Sequence, residues 1–360
     1  MTSPHLTIGI LNGDDIGYEI VPASVDIAKA AAKRHGLNID WRPTPIGRAA
    51  LDIHGSTMPE GMLESLAKMD GFILGPIGHR EYPKVSGAIN PHPILRKYFN
   101  LFANVRPTKS FPGLGAIYDD IDLVIVRENN EGFQPDRNVV AGSGEFRPTE
   151  EMTISVRVIT RTGSARVARA AFEIARQRKK RLTTVHKNTV FKLGCGMFVE
   201  ECYKVAKEFP DVVLDEVIVD TMAMRLIRDP QSFDVIVTTN MFGDILTDEA
   251  AGLVGGLGMA PGLCIGEGNI AMAQATHGSA PDIAGKGIAN PYAMIESTRM
   301  MFEWLGHNRG IKPAVEMAAT MSRAITRTLA NPATRTKDIK GTGGTTDMTR
   351  GIIAAIETEK

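Results

Sequence analysis

Short apolar runs alternate along the chain with longer stretches in which apolar positions recur at helical spacing. Buried strands are predicted for the apolar runs at residues 6–11, 71–74, 123–126, 182–186, 217–219 and 235–237. Helices are predicted for the amphipathic stretches at residues 16–36, 164–180 and 221–227. Strands that alternate with helices in this way indicate an α/β fold with largely parallel strand pairing.

Residues 138–161 depart from that alternation. Two glycines, Gly142 and Gly144, are followed by alternating apolar and polar positions at residues 153–158. A period of two is typical of antiparallel strands that turn one side to solvent. This segment therefore predicts an antiparallel arm.

Composition and charge narrow the functional classes. The chain has 360 residues, of which 41 are basic, 41 are acidic and 43% are hydrophobic. These values predict a globular protein of two or three domains with no electrostatic attraction to nucleic acid or to a membrane. No apolar run reaches the roughly 18 residues of a membrane helix, and the first residues lack the features of a signal peptide.

The three cysteines and the missing nucleotide motifs exclude further classes. Cys195, Cys202 and Cys264 form no C-x-x-C pair, so they predict buried thiols and a reducing, cytoplasmic location. No G-x-G-x-x-G occurs, and the glycine–lysine pair at 285–286 lacks the spacing of a P-loop. Both a Rossmann dehydrogenase and a P-loop kinase are therefore disfavoured.

Asp244 and Asp248 lie four residues apart, shortly after a predicted strand. A helix would present both carboxylates on one face, where they repel each other unless a cation lies between them. A hard divalent cation, Mg²⁺ or Mn²⁺, suits such a pair. The spacing alone is more typical of a solvated helix face, but the apolar neighbours Phe242 and Ile245 indicate a half-buried helix.

Basic side chains lie at or near the ends of other predicted strands, namely Arg96, Arg106, Arg127 and Lys187. Guanidinium groups bind carboxylates in a bidentate manner, and a lysine with a lowered pKa can act as a base. Taken singly, each is more typical of a surface or ion-paired side chain. Residues 277–282 form a loop of small residues that lets the backbone approach a ligand, and on its own this loop is weak support for a site.

Taken together, these segments resemble the isocitrate/isopropylmalate dehydrogenase family of decarboxylating β-hydroxyacid dehydrogenases, with the closest likeness to its isopropylmalate branch. The likeness is carried by residues 13–19, 95–107, 126–129, 220–224, 240–249 and 277–291. The resemblance covers nearly the whole chain, and the last two of these segments are long and specific.

The resemblance implies the family's own two-domain α/β fold rather than a Rossmann fold. One domain would combine residues 1–105 and 255–360 and bind the cofactor. The other, residues 106–254, would contain the arm at 138–161 and mediate dimerisation. The active site would lie in the cleft between the two domains.

The resemblance also implies the roles of site residues. Mg²⁺ or Mn²⁺ would be bound by Asp220, Asp244 and Asp248. The site would be shared across a homodimer, with Asp220 and Lys187 arriving from the second subunit. Both would be catalytic, with Lys187 as the base that takes the substrate's hydroxyl proton. The carboxylates of a 3-substituted malate would be bound by Arg96, Arg106 and Arg127.

The implied cofactor is NAD. Its binding residues would be His277, Gly278, Ser279, Ala280, Asp282, Ile283 and Asn290. Asp282 would accept a hydrogen bond from the ribose 2′-hydroxyl and repel a 2′-phosphate, so NAD is expected in preference to NADP. Ile283 lacks the polar group that NADP-dependent members place beside that acid.

The segment just before Arg96, which sets substrate choice in this family, departs from both common patterns. Isopropylmalate members carry a Glu and a Leu-Leu pair there, and isocitrate members carry Ser-x-Asn. This chain has Ile89, Asn90 and His92, of which Asn90 and His92 are expected to contact the substrate. Their polarity argues against a purely aliphatic substituent.

The best prediction is a 3-isopropylmalate dehydrogenase-like enzyme, and tartrate/D-malate and homoisocitrate or isocitrate types are the alternatives. A non-catalytic regulatory paralogue is the alternative from another class. The presence of every implied aspartate, arginine and lysine disfavours that class.

Gln134 stands where the family carries a tyrosine that protonates the enolate after CO₂ leaves. A glutamine amide cannot give up a proton at neutral pH. Protonation is therefore expected to use water or another residue such as Tyr82 or Tyr118, or to be slow. The alternative is release of an oxidised product that keeps its carboxylate. The opening loop also departs from the family, with Asp15 in place of glycine and Tyr18 in place of proline.

Overall fold

The computed structural model describes residues 5–133 and 144–359. A ten-stranded mixed sheet runs through it in the order β2-β1-β3-β12-β11-β4-β5-β10-β8-β9, and β6 and β7 form a separate pair. The strands are β1 (His5–Leu11), β2 (Asn38–Pro43), β3 (Gly71–Leu74), β4 (Ala103–Lys109), β5 (Asp122–Glu128), β6 (Glu145–Thr149), β7 (Met152–Ser155), β8 (Arg181–His186), β9 (Val213–Ile218), β10 (Val235–Thr238), β11 (Leu263–Ile265) and β12 (Ala271–Ala273).

Helices cover the sheet. The α-helices are α1 (Gly17–Arg34), α2 (Gly47–His54), α3 (Met62–Leu66), α4 (Pro91–Tyr98), α5 (Arg161–Arg176), α6 (Lys192–Ala206), α7 (Val219–Arg228), α8 (Asn240–Val254), α9 (Tyr292–Arg309), α10 (Lys312–Leu329) and α11 (Thr345–Glu357). On α1, the apolar side chains of Ile20, Val21 and Ile27 are buried, because they recur on the helix face that packs on the core.

Strand pairing is parallel except at the centre of the sheet. β4 pairs antiparallel with β5 and with β11, and β11 pairs antiparallel with β12. The predicted α/β fold with largely parallel pairing is confirmed. The antiparallel centre was not predicted, because β4, β11 and β12 were not predicted as strands and the continuous apolar pattern of β5 is the same for either direction.

Several predicted boundaries were wrong. Val219 begins a helix instead of ending a strand. The helix predicted at 164–180 lies at Arg161–Arg176, where the Thr160 side chain caps it by accepting a hydrogen bond from the Gly163 N–H at 3.0 Å. The antiparallel pairing of the arm is confirmed by β6 and β7. Strand structure ends at Ser155, although alternation predicted it to residue 158, and residues 138–143 lie outside the described residues.

The first and last parts of the chain pack together, since α1 contacts α9, α10 and α11. The division into residues 1–105 with 255–360 and residues 106–254 stays a prediction. One sheet crosses both parts, and β4 contains the proposed boundary. Across the described part of the chain, no helix is long and apolar enough to cross a membrane. The three cysteines are buried free thiols, as predicted.

Candidate active site

Two buried arginines share one face of the sheet centre. In the antiparallel pair of β4 and β5, Asn104 lies opposite Arg127, and Arg106 lies two residues further along β4. Side chains alternate between the faces of a strand, so these three side chains point to the same side. Arg106 and Arg127 are only 6% and 3% exposed, so neither is a surface arginine, but both are ion-paired with Asp244, which was the other interpretation of each. Arg106 also lies in mid-strand instead of near a strand end.

Helix α8 supplies the partners of both arginines. Arg127 contacts Asp244 Oδ1 and donates to Asn240 Oδ1 at 2.6 Å. Arg106 Nη1 lies 3.4 Å from Asp244 Oδ1 and donates to Thr247 Oγ1 at 2.5 Å. Asp244 itself is 53% exposed. The network therefore places two buried guanidinium groups behind a carboxylate that faces solvent.

Asp248 lies one helical turn after Asp244, as predicted. Burial raises the pKa of the Asp248 carboxyl, the Asp244 charge raises it further, and the charges of Arg106 and Arg127 oppose both effects. The net pKa is above the usual range of an aspartic acid. A carboxylate pair with this mutual repulsion is a donor set that a hard divalent cation would stabilise.

Lys187 and Asp220 form a second pair. Lys187 follows β8, Asp220 lies in the first turn of α7, and Lys187 Nζ donates to Asp220 Oδ1 at 2.5 Å. This hydrogen bond lowers the pKa of the Asp220 carboxyl. Within the described ranges, no group of three His, Cys, Asp or Glu side chains is close enough to hold a metal ion. One chain therefore brings Asp244 and Asp248 together but does not add Asp220 to them.

Arg96 lies on helix α4, not at the end of a strand, and is buried. Its Nη2 donates to Gln274 Oε1 at 3.1 Å, and Gln274 Nε2 lies 2.7 Å from His92 Nε2. Burial lowers the pKa of Arg106, and the nearby Arg96 charge acts in the same direction. The three predicted arginines therefore belong to one electrostatic cluster.

Gln274 was missed by sequence reasoning. It directly follows β12 and precedes the 277–282 loop by three residues, so its place next to a recognised motif was the available signal. Asn90 has a structural role in this arrangement, because its Oδ1 accepts from the His92 backbone N–H at 3.1 Å and caps α4. Of the two polar residues predicted to contact substrate, His92 is the one joined to Arg96 through a shared partner.

The predicted cofactor loop packs on the start of α1. Ile16 N–H donates to the Ser279 carbonyl at 3.1 Å, and Gly285 N–H donates to Glu19 Oε1 at 2.6 Å. Ala280 takes a left-handed backbone with φ of 45°. Space around Gly278 is open, Asp282 is exposed and Ile283 is half-buried. The structure therefore brings residues 13–19 and 277–285 together.

Two other predicted cofactor residues are engaged within the chain. His277 Nδ1 lies 3.0 Å from the Gly278 carbonyl, and burial lowers the pKa of the His277 ring. Asn290 is buried, accepts from the Tyr292 N–H at 3.0 Å and donates to Asp338 Oδ2 at 2.9 Å. Asn290 therefore anchors the start of α9.

The position of the missing tyrosine, Gln134, lies outside the described residues. Both alternative tyrosines have engaged hydroxyl groups. Tyr82 donates to Asp14 Oδ2 at 2.6 Å, and burial with this hydrogen bond raises the pKa of Tyr82. Tyr118 donates to the Ile227 carbonyl at 2.9 Å.

Comparison with known proteins gives consistent matches. The isocitrate/isopropylmalate dehydrogenase family model matches residues 7–352. The 3-isopropylmalate dehydrogenase of Methanothermobacter thermautotrophicus is 40% identical over 353 residues, which are 98% of this chain and 99% of that protein. The isocitrate/homoisocitrate dehydrogenase of Thermus thermophilus is 39% identical over 353 residues, covering 97% of this chain and 98% of its own.

A solved structure shows the same similarity in three dimensions. The crystal structure of isocitrate dehydrogenase from Methylococcus capsulatus superposes with a TM-score of 0.86 at 38% sequence identity. The superposition covers 98% of this chain and 100% of that one. Relatives with different substrate names are therefore about equally similar to this chain.

Proposed function

The chain belongs to the isocitrate/isopropylmalate dehydrogenase family of decarboxylating hydroxyacid dehydrogenases, and on that premise we propose that it oxidises and decarboxylates a 3-substituted malate with NAD and a divalent metal ion. The family resemblance and the family's α/β fold are confirmed. The observation that carries the proposal is the contact of Arg106 and Arg127 with Asp244. Buried guanidinium groups beside a carboxylate pair suit an anionic substrate and a cation together.

Asp244 and Asp248 would hold Mg²⁺ or Mn²⁺, with Asp220 of the partner subunit as a further carboxylate ligand. A cation in this place would make the substrate's hydroxyl group more acidic. The raised pKa of Asp248 is compatible with this assignment, because burial first and the Asp244 charge second disfavour its carboxylate, and a bound cation would offset both effects.

The chain's own side chains would bind the substrate and move its proton. Arg96, Arg106 and Arg127 bind the malate carboxylates, for which buried, planar guanidinium groups are suited. Lys187 Nζ accepts the hydroxyl proton as hydride leaves the substrate carbon. The hydrogen bond to Asp220 holds the Lys187 side chain in one orientation.

The cofactor would lie along the 277–285 loop, which has open space at Gly278 for close approach. The exposed carboxylate of Asp282 favours NAD, because it accepts from a free ribose hydroxyl and repels a phosphate. An Asp282→Lys variant is expected to lose much of the preference for NAD.

3-Isopropylmalate is the first candidate substrate, on the strength of the whole-chain resemblance. A malate with a polar substituent is the second candidate, favoured by the chain of hydrogen bonds from His92 through Gln274 to Arg96. An aliphatic group placed against these polar side chains would displace water from them without offering a hydrogen bond, which costs binding energy.

A homodimer is proposed from the surface beside the acidic pair. Met241 and Ile245 lie four residues apart on α8, and Met224 and Ile227 lie on the neighbouring α7, all with large exposed apolar side chains. Exposed apolar clusters of this kind mark interaction surfaces. A second copy on this surface would cover it and bring its own Lys187 and Asp220 towards Asp244.

The test is a spectrophotometric assay of NADH formation with MgCl₂ or MnCl₂ over a panel of malates. The panel contains 3-isopropylmalate, isocitrate, homoisocitrate, D-malate and tartrate, each with NAD and with NADP. We expect activity that requires metal, prefers NAD and is highest for one 3-substituted malate. Activity in chelator, or a higher kcat/KM with NADP, would contradict the corresponding part of the proposal.

The same panel separates the enzyme from the alternative class. A regulatory paralogue would bind a malate or a nucleotide without forming NADH, so calorimetric binding without turnover of any substrate would favour it.

A Gln134→Tyr variant, assayed for NADH and CO₂ separately, tests whether the absence of the family's tyrosine limits protonation of the enolate. Equal NADH and CO₂ yields in the wild type, at rates unchanged by the substitution, would show that residue 134 does not limit the reaction.

A further inference from the structure

The environment of Arg157 differs from that of Arg96, Arg106 and Arg127. Its guanidinium carbon lies 4.7 Å from the ring centroid of Phe191, 5.6 Å from that of Phe242 and 5.7 Å from that of Phe133. Within the part of the chain that the structure describes, its hydrogen bonds go to Cys195 and Thr239 and to no carboxylate. The attraction of aromatic faces for a cation therefore holds the group in place of an ion pair.

The hydrogen bonds of Arg157 reach two separate segments. Nη1 and Nη2 donate to Cys195 Sγ at 3.6 and 3.5 Å, and Nη2 also donates to Thr239 Oγ1 at 3.2 Å. Gly194 makes room for this contact, because a Cβ atom there would lie only 3.3 Å from Arg157 Nη1. Cys195 and Thr239 are therefore both hydrogen-bonded to one rigid, planar guanidinium group.

Each of these partners is attached to a proposed catalytic element. The Cys195 sulfur also accepts a hydrogen bond from the backbone N–H of Lys187 at 3.4 Å. Thr239 directly precedes α8, which carries Asp244. Phe133, under the guanidinium, is the neighbour of the residue that replaces the family's tyrosine. The segment that carries Lys187 and the helix that carries Asp244 therefore meet at Arg157.

We propose that Arg157 is a positioning residue that fixes the Lys187 segment relative to helix α8, acting through Cys195 on one side and Thr239 on the other. Lys187 would serve the partner subunit's site and Asp244 of α8 the chain's own, so Arg157 would set the position of each segment for its site. The inference rests on the proposed function for the role of Lys187. A planar guanidinium can stack on rings while it donates in its plane to two acceptors. A lysine ammonium keeps the charge but cannot reproduce that geometry.

The first experiment needs no activity. Hydrogen exchange of peptides that contain the Lys187 amide is measured by mass spectrometry in Arg157→Met, Cys195→Ala and Cys195→Ser. We expect faster exchange than wild type in the first two variants and near wild-type exchange in Cys195→Ser, whose hydroxyl is still an acceptor. The matched control is Arg161→Met, which removes an exposed arginine paired with Glu200 and Glu201. Unchanged exchange in both Arg157→Met and Cys195→Ala would overturn the proposal.

The second experiment divides kcat from KM. Small displacements of catalytic groups cost about tenfold to hundredfold in rate, so Arg157→Met should lower kcat by that range. KM for the malate should stay within about threefold, because the three substrate arginines are untouched. Cys195→Ser should keep most of kcat, and Cys195→Ala should not. A kcat for Arg157→Met equal to that of Arg161→Met would overturn the proposal.

The two experiments distinguish failure of the proposed function from failure of the inference about Arg157. A wild type with no turnover on any substrate rejects the proposed function, while hydrogen exchange still decides whether Arg157 orders the Lys187 segment. If Arg157→Met fails to fold, Arg157→Lys replaces it, and wild-type exchange and wild-type kcat in that variant would overturn the proposal.

Discussion

The side chains of the candidate site differ most in their exposure to solvent. Arg106 and Arg127 are buried in the sheet, whereas Asp244, which both contact, is half exposed. A guanidinium that is already desolvated loses little on binding an anion, so the arginines are prepared for a substrate carboxylate. For an acid, burial instead disfavours the charged form, as Glu128 shows.

Glu128 ends β5 and is almost fully buried. Its carboxylate accepts from the backbone N–H of Asn130 at 2.9 and 3.0 Å and of Glu131 at 2.7 Å. Burial raises the pKa of Glu128 to about 7, although these hydrogen bonds oppose the shift. The folded chain therefore binds this proton more tightly than the unfolded chain, whose glutamates have the ordinary pKa of 4.5.

The first prediction concerns this proton. The stability that protonated Glu128 contributes is fully present below about pH 4.5 and is lost as the pH rises through about 7. Relative to Glu128→Gln, the wild type should lose about 3 kcal/mol of unfolding free energy over that range. Urea unfolding of both proteins near pH 5 and near pH 8 measures the difference. Glu64→Gln, at an exposed site, should follow the wild type, and a parallel course for Glu128→Gln would contradict the prediction.

The second prediction concerns Gln274. Gln274→Leu keeps the volume of the side chain but removes the acceptor from Arg96 and the partner of His92. An unsatisfied buried guanidinium N–H and a less ordered Arg96 should raise KM for the preferred malate about tenfold, with a smaller change in kcat. Steady-state kinetics measure both constants, and Gln177→Leu, an exposed glutamine, is the control. Unchanged KM would show that Gln274 does not serve the substrate.

The sequence was enough to propose most residues of the candidate site, but not to predict which side chains they contact. Asp244 and Asp248 could be paired from their spacing, since a helix fixes which side chains share a face. The contact of Arg127 with Asp244 joins residues 117 positions apart, and no local pattern encodes such a contact. Gln274 and Arg157 were missed for the same reason, because their roles depend on neighbours distant in sequence.

Among the elements, α8 contributes most to the site. It begins directly after β10, and its first turns carry Asn240, Asp244 and Asp248 towards the arginines of β4 and β5. Met241 and Ile245 on the same helix stay exposed. One helix therefore presents both the acidic pair and part of the apolar surface proposed to bind a second copy.

The third prediction tests the acidic pair of α8. If Asp248 ligates the cation, MnCl₂ should stabilise the wild type, by about 2.7 kcal/mol at a hundredfold excess over Kd, and raise its Tm. Asp248→Asn should lose most of this shift, while its metal-free form should be at least as stable as wild type, because a neutral amide removes the cost of burying the charge and the repulsion from Asp244. Thermal unfolding with and without metal measures both effects, and Asp26→Asn, exposed on α1, is the control. An equal metal shift in Asp248→Asn would remove this residue from the site.

Element types could be predicted wherever the apolar period was clear, as for β1, β3, β5, β8 and β10. The directions of the strands and the ends of the elements could be predicted less well. β4 carries Arg106 and Pro107 in its middle and ends in Thr108 and Lys109, so its sequence did not resemble a central strand, and its antiparallel pairing came from long-range contacts. At α5, the Thr160 cap moved the start three residues before the predicted one.

At the scale of the whole molecule, one chain divides its proposed catalytic groups into two sets. Asp244 and Asp248 lie with the arginines, whereas Lys187 and Asp220 pair with each other. The family's shared site, implied by the resemblance, would join the first set of one subunit to the second set of another. The proposed oligomer is not encoded in the local pattern, and the proposal rests on exposed apolar residues such as Ile245.

The fourth prediction concerns this assembly. Ile245 is 60% exposed and Ile53, on α2, is 73% exposed. Ile245→Lys should shift the protein from dimer to monomer in sedimentation velocity and lower activity more than tenfold, because a charge at an apolar interface centre costs several kcal/mol. Ile53→Lys should change neither property. A dimer that survives Ile245→Lys would place the interface elsewhere.

Mixed subunits test the sharing of sites in the same assembly. Lys187→Ala and Asp244→Asn homodimers should each be inactive. A heterodimer of the two would contain one intact site if Lys187 acts in the partner's site, so random mixing should restore about a quarter of wild-type activity. No recovery in verified heterodimers would show that each site is built from one chain.

The place of β12 in the sheet has a consequence for how the chain is made. β1, β2 and β3 are contiguous and complete by residue 74, but β3 meets its other neighbour, β12, only when residues 271–273 have been synthesised. For about 200 residues of translation, the apolar edge of β3 has no native strand to pair with. Unpaired apolar edges recruit other chains. Association between nascent chains is therefore expected at this edge for as long as β12 has not been made.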